Sequence, residues 1–163
     1  MDAKFEFIGP MTLVGKAGRG AAGAGAGWIL SLWKELSEGF AQIGPLAQPA
    51  ADGRPLCLWG AMRRDESFAP WENGEGEYLA GCQLSQRLTE EHVPEGWDCW
   101  HLPQMLCLVV RCRQEEMAQA TDLALGYYFP KEELRLEGAI QERYPAGISE
   151  GTVELCFPVK IER

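Results

Sequence analysis

A chain of 163 residues, 46% hydrophobic and 24% charged, has the composition of one globular domain, or of two small modules sharing a core. No apolar run is long enough to span a membrane. Met1-Asp2-Ala3-Lys4-Phe5 lacks the basic start and apolar core of a signal peptide, so a cytoplasmic protein with no membrane partner is expected. The net charge of −9 repels a phosphate backbone, which argues against direct nucleic-acid binding and weakly favours cationic or neutral ligands.

Phe5 to Val14 reads as a first strand, broken near Gly9-Pro10, with Phe5 and Phe7 on one face. The Gly/Ala-rich stretch from Gly15 to Gly27 reads as a flexible loop. Trp28, Ile29, Leu32, Trp33, Leu36, Phe40 and Ile43 recur at helical spacing, predicting a helix that Gly44-Pro45 ends. Leu56 to Met62 and Glu77 to Leu84 read as strands, separated by a charged loop holding Phe68 and Trp71. Thr89 to His101, with Trp97 and Trp100, reads as a connector. Gln104 to Cys112 is apolar enough for a central strand. A second helix is predicted over Gln114 to Tyr128, with Met117, Ala120, Ala124, Tyr127 and Tyr128 as its apolar stripe, closed by Phe129-Pro130. Glu137 to Tyr144 and Thr152 to Ile161 read as an antiparallel pair. The order strand, helix, strand, strand occurs twice. That order points to an α+β fold, with helices packed on a mostly antiparallel sheet.

Chemistry concentrates on the strand ending at Tyr144. Side chains alternate faces along a strand, so Ile140, Glu142 and Tyr144 share one face and Ala139, Gln141 and Arg143 the other. The first face is apolar, which turns Glu142 toward the core side. A carboxylate there is costly unless it is protonated, paired with arginine, or met by a cation. The plainer reading is a glutamate near a sheet edge that reaches solvent. Trp33, Trp59, Tyr78, Tyr127, Tyr128, Tyr144 and Phe157 all fall on core-facing positions. They could line a pocket whose ring faces attract cations, or be ordinary core.

Other chemistries find little support. Cys57, Cys82, Cys107 and Cys156 lie inside apolar runs, as reduced cysteines do. Cys107 and Cys112 fall on opposite faces of a strand, and Cys99-x-His101 lacks zinc-site spacing. His92 and His101 have no visible partner for nucleophilic catalysis. Gly18-Arg19-Gly20 lacks the Gly-Lys-Ser/Thr of a phosphate loop. Neither a metal nor a cofactor is expected.

In order and spacing the chain resembles the GyrI-like small-molecule-binding domain, which is also the effector-binding half of AraC-type and MerR-type multidrug transcription activators. The resemblance rests on the first strand Phe5-Glu6-Phe7-Ile8-Gly9-Pro10-Met11-Thr12-Leu13-Val14-Gly15 and on Leu32-Trp33-Lys34-Glu35-Leu36 with Phe40 and Ile43. It continues through Leu58-Trp59-Gly60, Glu77-Tyr78-Leu79-Ala80-Gly81-Cys82, Gln141-Glu142-Arg143-Tyr144 and Val153-Glu154-Leu155-Cys156-Phe157-Pro158-Val159. It implies a single domain over 1–163, built from two β-helix-β-β modules (about 1–88 and 103–163) related by a pseudo-twofold, with a ligand cleft between them. It also implies that Glu142 stands at the family's pocket carboxylate, facing lipophilic cations. The Gly/Ala-rich loop and the short segment between Tyr144 and Thr152 depart from the family pattern.

The expected role is binding of a lipophilic cationic small molecule, for sequestration or sensing. Glu142, Tyr144, Trp33, Trp59, Tyr78, Tyr128 and Phe157 are the candidate ligand-binding residues. A hydrolase using the pocket glutamate as general acid/base, or a gyrase-inhibitor-like interaction module, are the alternatives. No basic helix-turn-helix region lies before Phe5 or after Ile161, so direct DNA contact is not expected. A homodimer is compatible with Trp71 or Trp97 marking a contact surface.

Overall fold

The computed structural model describes residues 2–22 and 27–162. Among them the apolar runs build nine strands. These are β1 (Asp2–Ile8), β2 (Met11–Ala21), β3 (Cys57–Arg63), β4 (Glu75–Gln83), β5 (Asp98–Leu102), β6 (Met105–Arg113), β7 (Leu134–Leu136), β8 (Gln141–Pro145) and β9 (Thr152–Ile161). They form one sheet in the order β1-β6-β9-β8-β3-β4-β2-β5, with β7 paired to β9. Every pairing among the described residues is antiparallel. Read outward from the central β8–β3 pair, β8-β9-β6-β1 mirrors β3-β4-β2-β5. The two halves are also joined at the back. Ile8 faces Met105 and, three residues on, Met11 faces Leu102, so β1–β2 and β5–β6 keep one register through their shared bend.

Helix α1 (Gly27–Ile43) covers β2 and β4, as its 3.6-residue apolar period requires. Its Leu32, Leu36 and Ile43 are buried with Val14, Tyr78 and Ala80. On the other half, α2 (Met117–Leu123) runs through a π turn (Ala124–Tyr128) into α3 (Phe129–Lys131). This helical run buries Ala120, Ala124 and Phe129 against β6 and β9. The opposite face of the sheet is not wet. The halves curl together there around a third core containing Trp59, Phe68, Leu79, Trp100, Val109 and Cys156. All six cysteines are free thiols. No helix among the described residues is long and apolar enough to cross a membrane.

Several sequence expectations are corrected. Gly15 to Ala21 is strand, not loop, because glycine here serves close packing. A Cβ on Gly20 would lie 2.5–2.8 Å from the Trp28 indole, and one on Gly18 would touch Leu32. Residues 23–26 of the expected loop lie outside the described residues. The expected connector contains β5, whose Trp100 and Leu102 alternate inward at the sheet edge. The second helix extends to Lys131, and its π turn rotates the stripe, leaving Tyr127 52% exposed and burying Phe129 instead. Of the expected strand Glu137 to Tyr144 only the part from Gln141 is strand, as β8; the short β7 lies before it, and both pair β9.

Candidate functional site

At the centre of the sheet the β3–β8 register sets Leu58 opposite Tyr144 and Gly60 opposite Glu142. Alternation then puts Leu58, Gly60 and Met62 on the same face as Glu142 and Tyr144. Met62 faces Tyr78 on β4, and α1 brings Trp33 over this floor. Three ring systems converge on one carboxylate. The Tyr78 hydroxyl donates to Glu142 Oε1 at 2.6 Å and the Tyr144 hydroxyl to the same oxygen at 3.0 Å. Trp33 Nε1 donates to Tyr78 Oη at 3.0 Å, and the Trp33 ring meets Tyr144 edge-on with centroids 5.5 Å apart.

Burial pushes the Glu142 carboxyl above its ordinary range, and the two hydroxyl bonds only partly oppose it. Burial and the neighbouring carboxylate push both phenols up, which keeps them protonated as donors. No Lys, Arg or His among the described residues makes an ion pair with Glu142 or contributes to its shift. The negative charge therefore has hydrogen-bond donors but no counter-charge.

Glu142 borders a cavity of about 660 Å³ walled by Ile29, Leu30, Trp33, Leu58, Met62, Trp71, Tyr78, Met117 and Tyr144. A chamber of about 340 Å³, reaching Thr121, Leu136 and Ile140, shares Met62, Trp71, Met117 and Glu142 with it. Another of about 570 Å³ lies beyond Trp33 and Tyr144, against Phe40, Pro145 and Ile148. These volumes lie in the usual range for small-molecule sites. Among the described residues no cluster of three or more His, Cys, Asp or Glu side chains could hold a metal ion.

The structure brings Glu142, Tyr144, Trp33 and Tyr78 together and places the other three candidates elsewhere. Trp59 is on the opposite face, 1% exposed, in the core between the two halves of the sheet, with the Arg143 guanidinium over its ring. Phe157 is on the site's face but fully buried beneath the helix, against Phe129. Tyr128 is carried by the π turn against Tyr127 and the α2-side core, outside the three chambers. Trp71 and Trp97 are both half-buried rather than openly exposed. Trp71 stacks on Trp28 and lines the cavity, and Trp97 bonds Gln42 and carries Lys16 over its ring.

Sequence reasoning passed over Gly60, Met62, Met117 and Trp71 as site residues. Gly60 carried a usable signal, since glycine inside a strand marks a close approach. A Cβ there would collide with Tyr78 Oη and Glu142 Oε1. Gly60→Ala is therefore expected to break the hydroxyl–carboxylate contact. It should lower stability by about 1–3 kcal/mol through overpacking, measured by urea denaturation.

No known protein-family profile matches the chain, and no curated protein matches it by sequence. Solved structures do share its fold. A protein from Staphylococcus aureus MU50, described as a bacterial transcription regulation protein, superposes with TM-score 0.68 at 17% identity, over 98% of this chain and 99% of that one. SAV2435 bound to tetraphenylphosphonium gives TM-score 0.66 at 17% identity, over 98% and 94%. The C-terminal domain of EcmrR gives TM-score 0.60 at 13% identity, over 99% and 98%.

Proposed function

We propose that this chain is a GyrI-like small-molecule-binding domain that takes lipophilic cations, with Glu142 as the anchoring anion. The single observation that carries this reading is a largely buried carboxylate with two hydroxyl donors and no counter-ion, at the edge of an aromatic cavity. A cation entering the cavity supplies the missing charge, and the rings of Trp33, Trp71 and Tyr144 that line it add attraction. The tetraphenylphosphonium held by a protein of the same fold supports the same ligand chemistry. On this reading residues 1–163 act as one unit, and the modules at about 1–88 and 103–163 supply opposite walls of the cleft. The output is sequestration or sensing.

The test is a titration with tetraphenylphosphonium and with neutral triphenylphosphine oxide, followed by tryptophan fluorescence, because Trp33 and Trp71 line the cavity. The cation should bind more tightly than the neutral compound by about tenfold or more, or roughly 1.4 kcal/mol. Equal binding would remove the charge from the recognition. Turnover of reactive neutral esters without cation binding would instead support a hydrolase.

The pH dependence has a definite sign. The cation needs ionised Glu142, whose pKa lies above its ordinary 4.5. Affinity should be full above that raised value and fall as pH drops through it. Binding near that pH should release a proton, detectable as a buffer-dependent heat in calorimetry. Affinity that does not vary with pH across that range would exclude Glu142 as the anchor.

A further inference from the structure

We infer that β1 is a self-association surface, on which two copies of this chain pair edge to edge about Phe5. β1 is an edge strand among the described residues, bonded to β6 on one side only. It is seven residues long and extended, so a row of backbone donors and acceptors stands open. Its outward face also carries two large apolar side chains, Phe5 at 47% and Phe7 at 68% exposure.

The occupant is specified by the strand's own charges. Closed pairing of two identical edges needs a twofold axis, and hence antiparallel strands. Centred on Phe5, this pairing puts Lys4 opposite the partner's Glu6, Ala3 opposite the partner's Phe7, and Phe5 opposite the partner's Phe5. Centred on Lys4 or on Glu6, it sets like charges face to face. A register centred between Lys4 and Phe5, or between Phe5 and Glu6, would set Phe5 against a charge, and one centred on Ala3 would pair Asp2 with Lys4 but leave both phenylalanines outside the paired segment. Only the Phe5-centred register joins opposite charges and makes a continuous aromatic strip on one face. Lysine on an edge usually discourages pairing. Here a glutamate two residues away makes the same lysine attractive to a second copy. Within one copy Glu6 holds Arg143 through both oxygens and lies 3.5 Å from its own Lys4. With Lys4 62% and Glu6 32% exposed, pairing exchanges that solvent-facing contact for the same contact across the two copies.

A seven-residue edge with two phenyl rings buries less than the roughly 800 Å² per partner of a standard interface. The dimer should accordingly be weak and concentration-dependent. Sedimentation equilibrium of the full chain from micromolar to near-millimolar concentration should show monomer passing to dimer. Phe7→Asp, at a position exposed enough to spare the fold, should remain monomeric throughout. Phe5→Cys should form an intermolecular disulfide on mild oxidation. Phe7→Cys alone should not, but should cross-link when mixed with Ala3→Cys. A wild-type monomer at every concentration would overturn the inference, as would Phe7→Asp dimerising like wild type, or cross-linking without this register.

Discussion

Glu142→Gln will abolish cation binding while making the ligand-free protein more stable at neutral pH. Glutamine keeps the shape of the side chain, and its carbonyl oxygen can still accept from Tyr78 and Tyr144. What it removes is a charge held away from water without a counter-charge. Because the folded-state pKa of Glu142 is raised, its favourable contribution is complete below the ordinary carboxylate value. That contribution is lost as pH rises through the folded value. The variant does not titrate, so it avoids that loss. The gain at neutral pH is expected to be about 1–2 kcal/mol, the usual scale for an imperfectly compensated buried polar group. For a chain of this length that is about 2–8 °C in melting temperature. Melting curves of both proteins should converge as pH falls toward 4.5 and separate above it. Coincident curves at neutral pH would show that the carboxylate carries no burial cost. Undiminished tetraphenylphosphonium binding by a folded variant would take Glu142 out of the site.

Arg143→Ala, one residue along and on the other face, will have the opposite character, a loss of about 3–5 kcal/mol. Its guanidinium donates twice to Glu6, at 2.6 and 2.9 Å, and once to Glu154 at 2.9 Å. Arg111 reaches the second oxygen of Glu154 at 3.1 Å from a more exposed position. Glu154 is 3% exposed, so deleting Arg143 strands a buried carboxylate and leaves Arg111 as its remaining ion-pair partner. Arg143→Lys should recover only part of the loss, because an ammonium cannot make the forked contact. The hydrogen bond from Arg143 leads the effects that hold the Glu6 carboxyl below its ordinary range. The contribution of this pair is therefore full above the ordinary value and disappears as pH falls through the lowered one. Urea denaturation of Arg143→Ala measures the effect. A change under about 1 kcal/mol would mean that the cluster is solvated in solution rather than buried.

Adjacent positions on β8 thus hold a charge without a counter-ion and a charge with two. Alternation made the separation of their faces legible in the sequence. Helix α1 and strand β9 were legible for the same reason, since each carries a regular apolar period over many residues. What parity could not tell was which face would meet a helix and which the other half of the sheet. On β3 both sets are apolar, Leu58 and Met62 against Trp59 and Ala61, so the sequence points Trp59 to the cavity, whereas it belongs to the core between the two halves of the sheet. Phe157 was on the correct face, but depth along a strand depends on what covers it, and Phe129 covers it. Tyr128 was displaced by a single π turn, which leaves no composition signal. The glycine-rich run was misread because its pattern is the same whether glycine frees a loop or admits an indole.

Gly60 gives the site its room by having no side chain, and its partner across the β3–β8 pair is the carboxylate itself. The two positions come from opposite halves of the chain, yet no side chain can be added at the first without moving the second. Any larger residue at 60 displaces the acid, and without the acid the space at 60 loses its reason to stay open. A chain of this fold with an acid here but a bulky residue opposite it would have a solid floor, and this pair of positions would reveal that before any ligand was tried.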